Sequence, residues 1–120
     1  FLEPKNKHIN TYQVKNFKNI KINKLQNIIK KNKFKKKVLV KLDVQGFELE
    51  VLKGAKKLLP NIDYIITEIS YQNIYKNQVT GGNLNLFLKK NNFVKVKNIN
   101  ITKFDKKLFQ SDALFVRKLR

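Results

Sequence analysis

Outside lysine, side chains able to hold a proton or steer a polar ligand are sparse in this chain, and they are unevenly placed. Of eight carboxylates, five (Asp43, Glu48, Glu50, Asp63 and Glu68) fall between residues 43 and 68, and residues 4 to 42 contain none. Against a formal net charge of +19, that placement suggests particular roles for some of these acids. Asp43 ends the apolar run Val38-Leu39-Val40-Lys41-Leu42, with Gly46 three positions on. A carboxylate at such an edge can take a proton from a hydroxyl or orient a polar substrate. Glu48 follows the glycine. Glu68 lies inside a second apolar run, where a carboxylate is costly unless it is paired or used; Lys41 is its available structural partner. Tyr71 adds a phenol just beyond that run. Glu50 and Asp63 read as helix-terminal and surface charge. The one histidine, His8, sits among lysine and asparagine and reads as a surface residue, and with no cysteine there is neither a disulfide framework nor a Cys-based metal site. No metal-ligating set stands out.

The elements that must position these groups follow from periodicity. Residues 38 to 42 are rich in β-branched side chains and too short for a helix, so they read as a buried strand. From Phe47 the period changes: Val51, Leu52, Ala55, Leu58 and Leu59 form the stripe of an amphipathic helix that Pro60 stops. Glu48 and Glu50 in its first turn, and Lys53, Lys56 and Lys57 later, suit the helix dipole. Gly54 then falls mid-helix, its cost of ~1 kcal/mol offset by close packing on a sheet. Asp63 to Ser70 reads as a second strand, parallel to the first and joined to it by the helix. Asp43 and Glu68 therefore stand together at the carboxyl edge, where open α/β sheets bind ligands.

Lys41-Leu42-Asp43-Val44-Gln45-Gly46-Phe47-Glu48 and Glu50-Val51-Leu52-Lys53-Gly54-Ala55 resemble the signature of the FkbM family of S-adenosylmethionine-dependent methyltransferases. Ile65-Ile66-Thr67-Glu68-Ile69 and Asp112-Ala113-Leu114-Phe115-Val116 are similar to that family in the same order. The resemblance runs from Ile20 to Lys118 and covers the carboxyl-terminal half of the family's domain. It implies a Rossmann-like methyltransferase sheet, present in part: parallel strands ending in an antiparallel hairpin, the third through the seventh strand of the family's sheet. It implies S-adenosylmethionine as cofactor and a small-molecule or glycan hydroxyl as acceptor. Asp43 would be the catalytic residue, with Glu48, Glu68 and Tyr71 contacting substrate. The family cradles its cofactor on an upstream Gly-x-Gly turn, whereas Gly46, Gly54, Gly81 and Gly82 make no such motif. With no methionine at its start, the chain is read as a fragment lacking the cofactor-binding half, inactive alone. Asn23-Lys24 stand where relatives carry acids.

The remaining chain is read more coarsely. Phe17 to Ile22 suggests a strand, and Leu25, Ile28 and Ile29 a short helix capped by Asn23. Lys30 to Lys37, with six lysines, reads as a solvated loop. Tyr71 to Asn83 reads as a polar loop with Tyr75 and a plain Gly81-Gly82 turn, and Leu84 to Leu88 as a helix ending near Asn91-Asn92. Phe93 to Ile101 and Ala113 to Val116 read as strands of a hairpin, about eleven residues apart.

A net charge of +19 also allows a lysine-rich, non-specific nucleic-acid-binding module. The excess is 25 Lys against 2 Arg, with 16 Asn and 12 Ile. That is the composition of A/T-rich codons, whereas specific phosphate and base recognition favours arginine. No specific nucleic-acid partner is therefore expected. No apolar run approaches the ~20 residues of a membrane span, and Phe1-Leu2-Glu3-Pro4 lacks a signal peptide's apolar centre, so the expected location is the cytoplasm.

Overall fold

The computed structural model describes residues 16–30, 34–71 and 81–119. His8, Lys31, Lys33 and Tyr75 lie outside them. The described chain is a mixed α/β unit: α1 (Leu25–Ile28), β1 (Leu39–Leu42), α2 (Glu48–Gly54), a 3-10 turn (Leu59–Asn61), β2 (Tyr64–Ser70), α3 (Gly81–Lys90), β3 (Phe93–Phe104) and β4 (Lys107–Arg117). The strands form one sheet in the order β1-β2-β4-β3. β1 runs parallel to β2, with Leu42 opposite Thr67. β4 is antiparallel to both β2 and β3. Among the described residues no helix is long and apolar enough to cross a membrane.

One face of the sheet carries the core. The registers put Leu42 beside Thr67 and Thr67 beside Ala113, and likewise Ile65 beside Phe115 and Ile69 beside Ser111, all buried. Alternation along a strand sends these residues to a common side. There they meet Leu49, Leu52, Leu58 and Leu59 from α2 and its exit, and Leu84 and Leu88 from α3. Thr67 and Ser111 put polar residues in this layer, and the Thr67 Oγ1 is buried without a hydrogen-bond partner.

The structure departs from the sequence reading at several places, each for a physical reason. Phe17 to Ile22 is extended but in no strand, and Phe17, Ile20 and Ile22 are 89%, 78% and 85% exposed. The described sheet thus has four strands, not five, and β1 is its edge. α1 is a single turn whose N-cap is Lys24, not Asn23, with no side-chain cap bond. α2 ends at Gly54 rather than at Pro60. Beyond it the Leu58 and Leu59 amides both donate to the Ala55 carbonyl, and Pro60 fits the first positions of the 3-10 turn, where its missing N–H costs nothing. A Cβ on Gly54 would meet Lys24 at an ordinary 3.7 Å, so no tight packing on the sheet requires that glycine. Gly81 and Gly82 open α3 instead of forming a plain turn. The final hairpin is much longer than expected, closed by Asp105 and Lys106 at φ 49° and 60°. Two left-handed residues make the tight turn whose twist suits paired strands. Asn92 (φ 66°) ends α3 as expected of a C-cap.

Arg117 clasps the base of the fold. Its guanidinium donates to the Leu59, Ile62 and Asn91 carbonyls and lies 4.4 Å from the centre of the Phe93 ring. Asp63, read from sequence as surface charge, accepts a 2.8 Å bond from the Val38 amide and ties the entry of β1 to that of β2.

Candidate functional site

The turn between β1 and α2 is built under backbone strain. The Phe47 amide donates to the Val44 carbonyl at 3.3 Å, closing it over Gln45 and Gly46, whose φ angles are 50° and 97°. Glycine adopts such angles freely, but in a side-chain-bearing residue they are uncommon. Two side chains hold the arrangement. The buried Glu48 carboxylate accepts from the Val44 and Gly46 amides through Oε1, at 3.4 and 3.2 Å. Gln45 donates its Nε2 to Asp43 Oδ1 at 2.9 Å. Asp43 Oδ2 lies 4.0 Å from Lys41 Nζ, and the Asp43 side chain remains 59% exposed. Lys41 is therefore directed to Asp43 and not to Glu68.

Glu68 is half-buried on β2, paired across the sheet with Asp112 on β4. Its Oε2 accepts from Gln110 Nε2 at 3.1 Å. Burial raises its pKa above the ordinary 4.5, and the nearby charges of Glu48, Asp43 and Asp112 push it the same way. Asp43, Glu48 and Glu68 are thus electrostatic neighbours, as their places at the ends of adjacent parallel strands require. Asp112, which the sequence presents only as part of a strand motif, joins them, and Asn100 donates to it at 3.1 Å. Glu50 forms a surface pair with Lys53 at 2.8 Å.

Gly46, Glu48, Glu68 and Ser70 line a crevice closed by Gly81 and Leu84 of α3, with a cavity volume of ≈ 10 Å³. Gly81 sets its width. A Cβ there would collide with Ile69 Cγ2 and come within 3.2 Å of the Ser70 carbonyl. No residue but glycine lets α3 approach the end of β2 so closely.

Tyr71 stands apart from the three acids. β2 runs three residues past the Leu42–Thr67 pair, which carries its end about 10 Å beyond that of β1. The Tyr71 hydroxyl lies 3.2 Å from Ser111 Oγ, 3.3 Å from Lys95 Nζ and 3.5 Å from Asn98 Oδ1. Ser111 is only 1% exposed, Tyr71 itself 39%. Burial is the largest single influence on the phenol and pushes its pKa up. The hydrogen bonds of Ser111 and Lys95, the Lys95 charge and Asn98 together outweigh it, so the net movement is downward from 10.0.

Sequence reasoning does not single out Gln45, Lys95, Asn98 or Ser111. Ser111 lies in the polar triplet Gln110-Ser111-Asp112, which gives no sign of its burial, and one lysine among 25 gives none either. Among the described residues no group of three or more His, Cys, Asp or Glu side chains could hold a metal ion.

Compared with known proteins, residues 3–95 match the family model described as the methyltransferase FkbM domain. The matched stretch begins and ends earlier than the Ile20 to Lys118 span of the motif resemblance, and it leaves β4 outside. It does not support assigning the chain to the family's carboxyl-terminal half. No curated protein and no solved structure matches the chain.

Proposed function

The chain belongs to the methyltransferase FkbM domain family, and on that premise we propose that it acts in methyl transfer from S-adenosylmethionine to a hydroxyl oxygen of a small molecule or sugar. The observation that carries the reading is the strained turn after β1. Gln45 is held at φ 50° and donates to Asp43, while Glu48 closes the same turn through two backbone amides. Strain of this kind, of order 1–3 kcal/mol, persists where the surrounding contacts fix a geometry that function uses. What the turn fixes is the Asp43 carboxylate, exposed at the carboxyl edge of the sheet. Asp43 takes the acceptor's proton or anchors the acceptor, Glu68 and Tyr71 contact it, and Glu48 holds the turn from the crevice wall.

The crevice at the acidic edge does not fit the cofactor itself. The crevice beside Glu48 and Glu68 holds about a water molecule, not a nucleoside. The chain's glycines offer no Gly-x-Gly approach for a ligand, and Gly81 is used in packing α3 on Ile69. The donor is therefore assigned to sequence other than the described residues, and their contribution is to place and deprotonate the acceptor.

The test is transfer of labelled methyl from S-adenosylmethionine to a panel of hydroxyl-bearing sugars and small molecules. It is run on residues 1–120 and on the chain extended by its upstream reading frame. Activity and saturable cofactor binding are expected in the extended protein alone. Activity in neither overturns the methyltransferase reading, and cofactor binding by residues 1–120 overturns the assignment of the donor site. In an active protein Asp43→Asn should lower turnover by roughly two to four orders of magnitude, the range of a general base, with folding nearly unchanged. Asparagine keeps the shape and can still accept from Gln45 Nε2 through its Oδ1, so normal turnover would leave Asp43 a merely structural residue.

A further inference from the structure

The sheet has two faces, and the core occupies one of them. Ile65, Ile69 and Phe115 meet α2 and α3 there. Alternation sends their neighbours to the other side, where the registers set them in rows across the strands. Leu39, Tyr64, Val116 and Val94 form one row, and Lys41, Ile66, Leu114 and Lys97 the next. None of these residues belongs to the core cluster or packs against it. Leu39 and Val94 are 56% and 42% exposed, and the apolar side chains between them are half-buried. We propose that this open face pairs with the same face of a second copy of the chain, the strands of the two sheets running antiparallel.

The occupant follows from charge, because the face has an acidic end and a basic end. Beyond Ile66 and Leu114 stand Glu68 and Asp112, directly opposed on β2 and β4. Asp43, beyond Lys41 on β1, completes an acidic row. Like charges opposed across a sheet are destabilising. Yet in a chain with 25 lysines, Glu68 and Asp112 receive only the neutral donors Gln110 and Asn100, and Asp43 has a single lysine at 4.0 Å. The other end of the face is basic. Lys37 Nζ stands 5.9 Å from the centre of the Tyr64 ring. Lys118 follows Val116 by two positions onto the same side, and its amide continues the pairing by donating to the Asn92 carbonyl. Both lysines are exposed.

A two-fold axis lying in the contact, parallel to the rows and midway between the two apolar ones, exchanges these ends. It stacks Tyr64 on the partner subunit's Ile66 and Val116 on the partner subunit's Leu114. It also brings Lys118 to the partner subunit's Asp112 and Lys37 to the partner subunit's Asp43. Facing sheets lie ~10 Å apart, a gap that lysine side chains can cross. An axis along the strands would set acids on acids, so the charges select the antiparallel pair. The face measures about 20 Å along the strands and about 15–19 Å across them. Such a footprint is small beside the ~800 Å² per partner of a standard interface, so the pair forms in a concentration-dependent way. Asp43 ends the edge strand at a corner of the face and stays open to an acceptor from the end of the sheet. The inference does not rest on the methyltransferase reading.

Sedimentation equilibrium of residues 1–120 over a series of concentrations tests it. At about 0.15 M salt, repulsion between the net positive copies is screened beyond about 8 Å, and a monomer–dimer equilibrium is expected. Asp112→Lys and Lys118→Glu should each weaken the dimer roughly tenfold, since each change replaces attraction by repulsion twice in a symmetric pair. The double variant should recover most of the loss. Residues 112 and 118 lie about 20 Å apart along one strand, too far for an ion pair within one copy, so recovery can arise only across the interface. Folding should survive, because a lysine at 112 faces Glu68 and residue 118 is exposed; circular dichroism of each variant checks this. A monomer at every concentration, or a dimer that the single variants leave intact or the double variant does not restore, overturns the proposal. A dimer that is lost when the chain is extended by its upstream reading frame also overturns it, and makes that upstream segment the occupant of the face.

Discussion

Replacing Arg117 by methionine should destabilise the chain by about 2–4 kcal/mol, and replacing it by lysine by about half as much. The figure follows from what the guanidinium holds. It donates to the Ile62 carbonyl at 2.7 Å and to the Leu59 carbonyl, both on residues at most 2% exposed. The third bond, to Asn91 at 3.5 Å, is at the limit of the geometry and adds little. Hydrogen bonds from a charged donor are worth about 1.5–3 kcal/mol each, and the ring contact with Phe93 about 0.5–2. Arg117 is only half-buried, so water can partly replace it, which brings the sum down to the stated range. Methionine fills much of the space and takes the guanidinium donor from both carbonyls, of which Leu59 keeps the Ile62 amide. Lysine keeps the charge but cannot reach two carbonyls with a planar fork. The assay is urea unfolding of residues 1–120, reading a lower midpoint at an unchanged slope. A chain of this size typically has only about 5–15 kcal/mol of stability in total, so the loss should be plain. If the lysine variant lies within about 0.5 kcal/mol of the parent, the clasp does not depend on the planar fork and the reasoning fails.

Three further outcomes follow from the same contacts. Gly81→Ala should cost about 1–3 kcal/mol by overpacking against Ile69, and Ile69→Leu, which removes the offending branch, should recover part of it in the double variant; strict additivity in the urea midpoints would refute the contact. Thr67→Val removes a buried hydroxyl that has no partner and should stabilise the chain by about 1 kcal/mol, measured in the same assay; a loss of stability would mean the hydroxyl is satisfied. The Glu68 pKa is raised by burial and by neighbouring acids, so the folded state binds a proton more tightly than the unfolded state does. Its contribution to stability is therefore present at low pH and lost as pH rises from about 4.5 through the raised value. Glu68→Gln, which can still accept from Gln110, should gain stability relative to the parent across that window, and a difference independent of pH would contradict the assignment.

The two parallel strands, the intervening helix and the meeting of Asp43 with Glu68 are legible in the sequence because each rests on a local signal. An apolar run broken by Asp43 and Gly46, then a change of period at Phe47, allows few alternatives. Phe17 to Ile22 shows the limit of that reasoning. Its apolar spacing suits a strand, but a strand requires a partner, and no element of the described sheet lies beside it. The hairpin is longer than its sequence suggests for the opposite reason. Asp105-Lys106 is a poor match to the usual Asn-Gly or Asp-Gly turn, and Val96 and Asn100 fall at register shifts in the pairing of β3 with β4, which blur the alternation. The Tyr71 cluster joins that residue, just past β2, to partners 24 to 40 positions away on β3 and β4, a relation that no local pattern encodes. The sequence places Glu48 beside the turn but does not show what it does there, since its carboxylate folds back on the Val44 and Gly46 amides.

The strand order β1-β2-β4-β3 has a consequence for how the chain is made. β4 lies between β2 and β3 yet follows both in the sequence. During synthesis β2 leaves the ribosome with its inner edge bare, and β3 emerges with nothing to pair with at all. For roughly forty residues of translation β1 and β2 are the only strands of the described sheet that can pair, and a two-stranded ribbon by itself is marginal in water. Only when Lys107–Arg117 emerges do both edges close, and Arg117 arrives last to bind the carbonyls of Leu59 and Ile62. Folding is thus gated by the end of the described chain, and a ribosome stalled before β4 holds an exposed, pairing-competent β2 edge for chaperones to cover.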